Sequence, residues 1–190
     1  MAIIIPYVKQ TWVDGPGGGT PTSAARLGVI EEGVLDVSLS PTVRTLRSAV
    51  QTITTGTWTL LLWNTETGGW DQAGGAASTM HDNSTNTGRL TAQFAGKYLV
   101  VLNLEILSNT TGVRLGYIQK NSEALPATVG TGVVQGGFVI TPSTPATNYA
   151  SATALVDLAV NDYVAAVYFQ NSGGNLDNGV DSSFAMTRIA

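Results

Sequence analysis

From about Ser48 onward the chain is written in short runs of Val, Ile, Tyr, Trp and Thr, each closed by Gly or Asn. β-Branched and aromatic side chains fit a pleated, half-buried surface, and Gly and Asn mark the turns between such runs. The pattern predicts strands over Ala49–Thr54, Thr57–Asn64, Arg89–Ala95, Gly96–Leu107, Val113–Lys120, Val133–Ile140, Asn148–Asp157, Asp162–Gln170 and Ser182–Ile189. Strands this short and this numerous close into an antiparallel sandwich or jelly roll, so the fold class is mainly β.

Two of these strands constrain more than the fold class. In Tyr98-Leu99-Val100-Val101-Leu102 and in Tyr163-Val164-Ala165-Ala166-Val167-Tyr168-Phe169 the alternation of apolar and polar residues fails. An antiparallel sheet normally leaves one face in water, so apolar residues on both faces call for a third layer or a neighbouring subunit. No helical segment is available within the β region to form that layer. An obligate oligomer is therefore expected, and the charge content agrees: 12% Asp, Glu, Lys and Arg, against about 25% in ordinary soluble domains.

Composition excludes several functions. The net charge is −4, the pI is about 4.7 and the basic residues are scattered singly, whereas nucleic-acid affinity needs clustered Lys and Arg. Tyr98–Leu107 is interrupted by Asn103 and Glu105 and falls short of the ~18 apolar residues of a spanning helix, so no membrane insertion is expected. The start, Met1-Ala2-Ile3-Ile4-Ile5-Pro6, has no basic residue and too short an apolar stretch for a secretory signal. The absence of Cys removes disulfides, thiolate catalysis and Cys-ligated metal.

Residues 1–36 read differently. Trp12-Val13-Asp14-Gly15-Pro16-Gly17-Gly18-Gly19 is turn-rich, and a short helix is predicted to follow. Thr20 serves as N-cap with Pro21 at the first helical position, Ala24, Leu27 and Ile30 repeat at three-residue spacing, and Gly33 closes the end. A helix near the ~12–15 residues at which isolated helices are marginal must pack its apolar stripe on something.

Two resemblances add to these readings. Arg89-Leu90-Thr91-Ala92 leading into Gly96-Lys97-Tyr98-Leu99-Val100, then Gly112-Val113-Arg114, Ile118-Gln119-Lys120-Asn121, Leu155-Val156-Asp157-Leu158 before Asp162-Tyr163-Val164, Gln170 to Leu176, and Ser183-Phe184-Ala185-Met186-Thr187-Arg188-Ile189 follow in the family's order. This stretch resembles the jelly roll of the complement globular head and the tumour necrosis factor superfamily. The resemblance implies a three-fold homotrimer; the family more often has Gly where Asn161 stands. Separately, Trp12-Val13-Asp14-Gly15, Gly19-Thr20-Pro21, Ser23-Ala24-Ala25-Arg26-Leu27 and Glu31-Glu32-Gly33-Val34 resemble the attachment segment of tailed-phage fibre and minor structural proteins. Together they imply a virion-anchoring segment over 1–36, a stem over 37–47 and a head over 48–190. On this reading Tyr7, Trp12, Asp14, Pro21, Arg26 and Leu27 dock on phage capsid or tail proteins, and Tyr98, Val100, Tyr163, Val167 and Phe169 line the trimer seam.

Site chemistry is sparse. Gly15–Gly19 lacks the Lys-Ser/Thr of a phosphate loop and reads as a turn. His81 is the sole histidine, beside Asp82; a catalytic base needs a nucleophile and an orienting acid, which sequence adjacency does not supply. A three-fold ring of His81 and Asp82 is a weaker metal reading than a structural histidine. Asp157, Asp162, Asp177 and Asp181 are oxygen ligands of the kind calcium takes, and complement-type heads sometimes hold calcium, but the spacing matches no calcium loop and a solvated loop is the plainer expectation. No other cofactor is expected. Trp58, Trp63 and Trp70 cluster in sequence: Trp58 is expected in the core, Trp63 in core or interface, and Trp70, after Gly68-Gly69, as an exposed contact for a host cell-surface glycan. Asn83-Ser84-Thr85 and Asn109-Thr110-Thr111 match glycosylation sequons at the rate an Asn- and Thr-rich chain produces by chance.

The function these readings favour is a non-enzymatic phage virion surface protein, a trimeric spike or fibre head made in the host cytoplasm and contacting the host surface. The alternative is a capsid decoration or head-fibre protein, favoured by a connector over 35–47 that spans about 45 Å at full extension. No glycosidase-like carboxylate pair is recognisable, so an enzyme is not expected.

Overall fold

The two longest strands form first-order neighbours because both alternate without interruption. β6 (Gly96–Ile106) and β9 (Asn148–Leu158) pair antiparallel along their whole length, from Gly96 opposite Leu158 to Ile106 opposite Asn148. Around them a computed structural model, which describes residue 30 and residues 40–72, 79–124, 133–142 and 146–190 (67–69 for backbone only), arranges β1 (Thr42–Leu46), β2 (Gln51–Ile53), β3 (Thr59–Leu60), β4 (Thr65–Gln72), β5 (Arg89–Thr91), β7 (Arg114–Lys120), β8 (Val134–Ile140), β10 (Tyr163–Gln170), β11 (Leu176–Asn178) and β12 (Ser183–Arg188). A seven-stranded sheet runs β2-β11-β6-β12-β1-β4 with β9 on the other edge of β6, and a five-stranded sheet runs β3-β10-β7-β8 with β5 also on β10. This is the antiparallel jelly-roll sandwich read from the sequence.

The core lies between the sheets and is filled by every second residue of the long strands. Tyr98, Val100, Leu102, Leu104 and Ile106 of β6 and Ala150, Ala152, Ala154, Val156 and Leu158 of β9 point inward, against Val164, Ala166 and Tyr168 of β10 and Phe184 and Met186 of β12. Each fully buried Leu, Val or Phe contributes roughly 1.5–3 kcal/mol. The small inward side chains of β9 let the sheets approach where β6 is bulky. Trp63 stacks on Phe184 with ring centroids 5.7 Å apart, and Phe138 fills the space that Gly116 leaves, since a Cβ there would come within 2.3 Å of its ring.

Two corrections to the sequence reading concern the start of the head. Thr42–Leu46, assigned to the stem over 37–47, is β1 and pairs with both β12 and β4, so the folded head is not confined to residues 48–190. Trp58, expected in the core, is partly exposed on the outer side of the five-stranded sheet, while Leu61 and Trp63 are the fully buried members of that stretch. Asn161 adopts φ +69° in the turn before β10, the left-handed conformation that Asn tolerates almost as Gly does. Among the described residues no helix is long and apolar enough to cross a membrane. The anchoring residues Tyr7, Trp12, Asp14, Pro21, Arg26 and Leu27, the glycine-rich turn and the predicted helix lie outside the described residues.

Candidate functional site

Each long strand of the seven-stranded sheet has a second face, and its composition follows from the register. One row across the sheet reads Leu155, Leu99, Thr187, Thr42, Gln72, and the next reads Thr153, Val101, Ala185, Arg44, Trp70. A third runs Ser151, Asn103, Ser183, Leu46. Within these rows the only charge is Arg44, whose guanidinium lies 5.8 Å from the Trp70 ring centroid. Hydroxyls tie the rows together: Thr42 and Thr187 share a hydrogen bond of 2.7 Å, the Trp70 indole N–H donates to Thr42 Oγ1 at 3.3 Å, and Ser151 Oγ donates to Asn103 Oδ1 at 2.6 Å. Leu155 is 69% exposed, Tyr149 68% and Trp70 49%. A contiguous surface of Leu, Val, Ala, Thr and Trp is the composition of a protein contact rather than of a solvated face. Lys97 and Asp157 close one end with an ion pair of 2.9 Å.

The five-stranded sheet solves the same problem within the chain. On the outward side of β10, Val167 lies between Leu60 and Tyr117 in register, and Phe169 lies beside Leu115. Trp58 stacks on Tyr117 at 5.1 Å and tilts against Phe169 at 5.2 Å, forming an aromatic roof, and Arg89 sits 4.2 Å over the Tyr163 ring. Ala165 and Val167 are completely enclosed beneath this layer.

The five seam residues read from the sequence therefore fall in two places. Tyr98 and Val100 face the sandwich core, and Val167 is closed under the aromatic roof; none has exposed surface with which to meet another chain. Tyr163 and Phe169 are half-buried parts of that roof. The physical reason is phase: the bulky members of each apolar run turn inward or are covered, and on β6 the residues left facing out are those between them, Leu99 and Val101. Asn103 and Glu105 share the parity of Leu99 and Val101, and that was the available signal for which face is outside. Leu155, Ala185 and Thr187 could be found only by pairing strands. Trp70 is exposed as read, but it belongs to the uncovered sheet face.

The polar candidates are structural ties. His81 is buried in the loop before β5; its Nδ1 lies 2.7 Å from Glu66 Oε1 and its Nε2 3.2 Å from the Thr87 carbonyl. Asp71 accepts the N–H groups of Met80 and His81 at 3.0 and 2.9 Å, and the Asn83 amide donates to the second Glu66 oxygen. Burial works against the Glu66 charge, but the hydrogen bonds from His81 and Asn83 outweigh it and hold the carboxyl below the ordinary range. The unit pins residues 79–87 onto β4 and has no nucleophile at the ring. The four aspartates read as calcium candidates are dispersed: Asp157 meets Lys97, Asp177 accepts from Thr52, the Asp181 N–H reaches Glu105, and Asp162 binds Lys120, Asn121 and the Ala159 N–H. For Asp162, too, burial is outweighed by these donors, which lower its pKa. Among the described residues no group of three or more His, Cys, Asp or Glu could hold a metal ion. Arg47, buried over the Trp63 ring at 4.7 Å, donates to the Leu62 carbonyl and to Asn178; burial pushes its guanidinium down to about 9, still charged at neutral pH.

This antiparallel sandwich is similar in fold to jelly rolls of the tumour necrosis factor type. Solved structures similar to it include Eiger TNF from S. frugiperda, with TM-score 0.50 and 13% identity over 80% of this chain and 92% of that one. Murine APRIL at pH 5.0 gives TM-score 0.52 and 8% identity, covering 79% of this chain and 99% of that one. No protein-family model matches the sequence, and no curated protein does.

Proposed function

We propose that this chain is the subunit of a non-enzymatic homotrimer on the surface of a tailed-phage particle, anchored by its N-terminal segment and using its head to contact the host surface. The observation that carries the self-association is the uncovered face of the seven-stranded sheet, with Leu99, Val101, Leu155, Ala185 and Trp70 set among hydroxyls. Three copies related by a closed three-fold axis bury three such faces at once, and closure prevents the open-ended growth that a head-to-tail contact otherwise allows. The tumour-necrosis-factor-like fold supports this arrangement. The resemblance of residues 12–34 to phage attachment segments supports the address, with Tyr7, Trp12, Asp14, Pro21, Arg26 and Leu27 making the docking contacts. Many trimers on one particle convert weak contacts into firm attachment through effective concentration.

One observation favours capsid decoration over a projecting fibre. With β1 beginning at Thr42, most of the sequence assigned to a stem belongs to the head, which leaves little spacer to lift it from the particle.

Sedimentation equilibrium of the full chain tests the trimer: a mass of three subunits is expected, and a monomer at micromolar concentration sinks it. Labelling intact particles with an antibody to the head tests the address. Label on the tail tip favours the adhesin, label over the capsid favours decoration, and unlabelled particles remove the virion assignment.

A further inference from the structure

Between the loop 79–87, β5 and the turn before β10 lies a cleft of about 330 Å³ lined by polar residues and Met80. Its framework is already fixed by internal bonds. Asp82 Oδ1 accepts the Ser84 N–H at 2.8 Å, the Ser84 hydroxyl at 2.6 Å and the Thr85 N–H at 3.1 Å. Arg89 is held by Glu123 at 2.7 Å and by the Tyr163 ring, Gln93 Nε2 donates to the Thr79 carbonyl at 2.7 Å, and the Asn161 N–H donates to the Ala92 carbonyl at 2.9 Å. The loop itself is pinned from behind by the His81–Glu66 contact.

Other polar groups at the cleft remain uncommitted. Asp82 Oδ2, the side-chain amides of Asn86 and Asn161, and the Thr91 hydroxyl have no hydrogen-bond partner among the described residues. They come from three separate stretches of chain and converge on one space. The charges leave no excess positive charge: Arg89 is matched by Glu123, His81 by Glu66, and Asp82 is in no ion pair among the described residues. Phosphate, sulfate and carboxylate ligands are therefore disfavoured. A neutral polyol suits the set, because each hydroxyl can donate to a carboxylate or Thr oxygen while accepting from an amide N–H. The volume is at the lower end for ligand pockets, enough for about one sugar ring.

We infer that this cleft is a binding site for a neutral sugar residue of a surface glycan, with Asp82, Asn86, Thr91 and Asn161 as its recognition groups. This rests on the surface-attachment reading above and gives that reading a ligand class. None of the recognition residues lies in the outward rows of the seven-stranded sheet, and a trimer carries three copies of the cleft.

The test is binding of the purified full chain to an immobilised array of neutral mono- to trisaccharides, with sialylated and sulfated glycans as charged controls. D82N keeps the oxygen that caps Ser84 and Thr85 while removing the carboxylate, and T91V removes only a hydroxyl within a strand; circular dichroism and sedimentation verify that both variants stay folded and assembled. Saturable binding to a neutral glycan is expected, reduced about tenfold or more by each variant and unaffected by W58A, since Trp58 lies beside Phe169 at the other end of β10 from Thr91. Binding to no neutral glycan, binding to charged glycans alone, or neutral binding that survives both variants overturns the inference. A particle-bound trimer that binds no neutral glycan removes the cleft and leaves the attachment reading standing. A chain that binds through Asp82 and Thr91 but is absent from particles supports the cleft and removes the virion assignment.

Discussion

The outward faces of the two sheets carry the same sequence anomaly and resolve it differently. On the five-stranded sheet the apolar second face of β10 is roofed by Trp58, Tyr117 and Phe169, and Ala165 and Val167 beneath it are inaccessible. On the seven-stranded sheet nothing in the described chain covers Leu99, Leu155 and Trp70. A failed alternation therefore says only that a face must be covered. Whether the cover comes from the same chain depends on aromatic residues elsewhere in the sheet, here a tryptophan on the segment before β3 and a tyrosine on β7.

The sharpest way to break this contrast is to charge the open face. Leu155→Glu combined with Val101→Glu should leave the fold intact and dissociate the assembly completely, because like charges set against each other across a contact cost several kcal/mol; sedimentation velocity reads the change, and an unaltered trimer moves the seam elsewhere. The next effect belongs to the roofed face. Trp58→Ala should destabilise the chain by about 2–3 kcal/mol, somewhat below a fully buried tryptophan because Trp58 is partly exposed, and should leave the oligomeric state unchanged. Urea midpoints compared with the oligomer mass separate the two, and a W58A chain that dissociates without losing stability would invert the comparison. Trp70→Ala is the converse and milder experiment, weakening assembly by about 1–2 kcal/mol with little change in the stability of the monomer.

The smallest expected effect concerns the loop packed between the faces. Glu66 has a pKa below that of an unfolded glutamate, so its contribution is present above the ordinary carboxylate range and is lost as the pH falls through the lower folded value. Glu66→Gln should cost about 1 kcal/mol at pH 7, where the wild-type carboxylate accepts two charge-assisted bonds, and the difference from wild type should fade only as the pH falls below the ordinary carboxylate range. Thermal melts of both proteins across that range measure it; a constant difference at all pH values would mean that packing, not charge, sets the effect.

Much of the architecture was legible because strand formation here follows local chemistry. The runs around β6, β7, β8, β9 and β10 end at Gly, Asn or Pro close to where the strands end. β4 was invisible since Thr65–Gln72 contains Gly68 and Gly69 and a single large apolar residue, and β11 since it is only Leu176–Asn178. β1 was read as stem because Thr-Val-Arg-Thr-Leu carries one inward hydrophobe, Val43, whose burial depends on β12 far along the chain. Trp58 was assigned to the wrong side: the alternation carries through residues 60–64, but Leu61 and Trp63 turn into the core, as Trp63 was read, and Trp58 shares the outward side with Leu60 and Leu62. The polar cleft was illegible altogether, since Asp82, Thr91 and Asn161 meet only after β5 and the turn before β10 come together on one sheet.

The position of β12 also sets an order of events. It lies between β1 and β6, although it follows both in sequence, with Thr187 opposite Thr42 on one side and Leu99 on the other. During synthesis the first strand must wait, its edge unpaired, until nearly the whole head has been translated, and such long-range closure makes folding slow. The open face is incomplete until then, because Ala185 and Thr187 supply its middle column. If subunits associate through this face as proposed, a truncated or stalled chain lacks its middle column, and the topology itself would keep unfinished subunits out of the assembly.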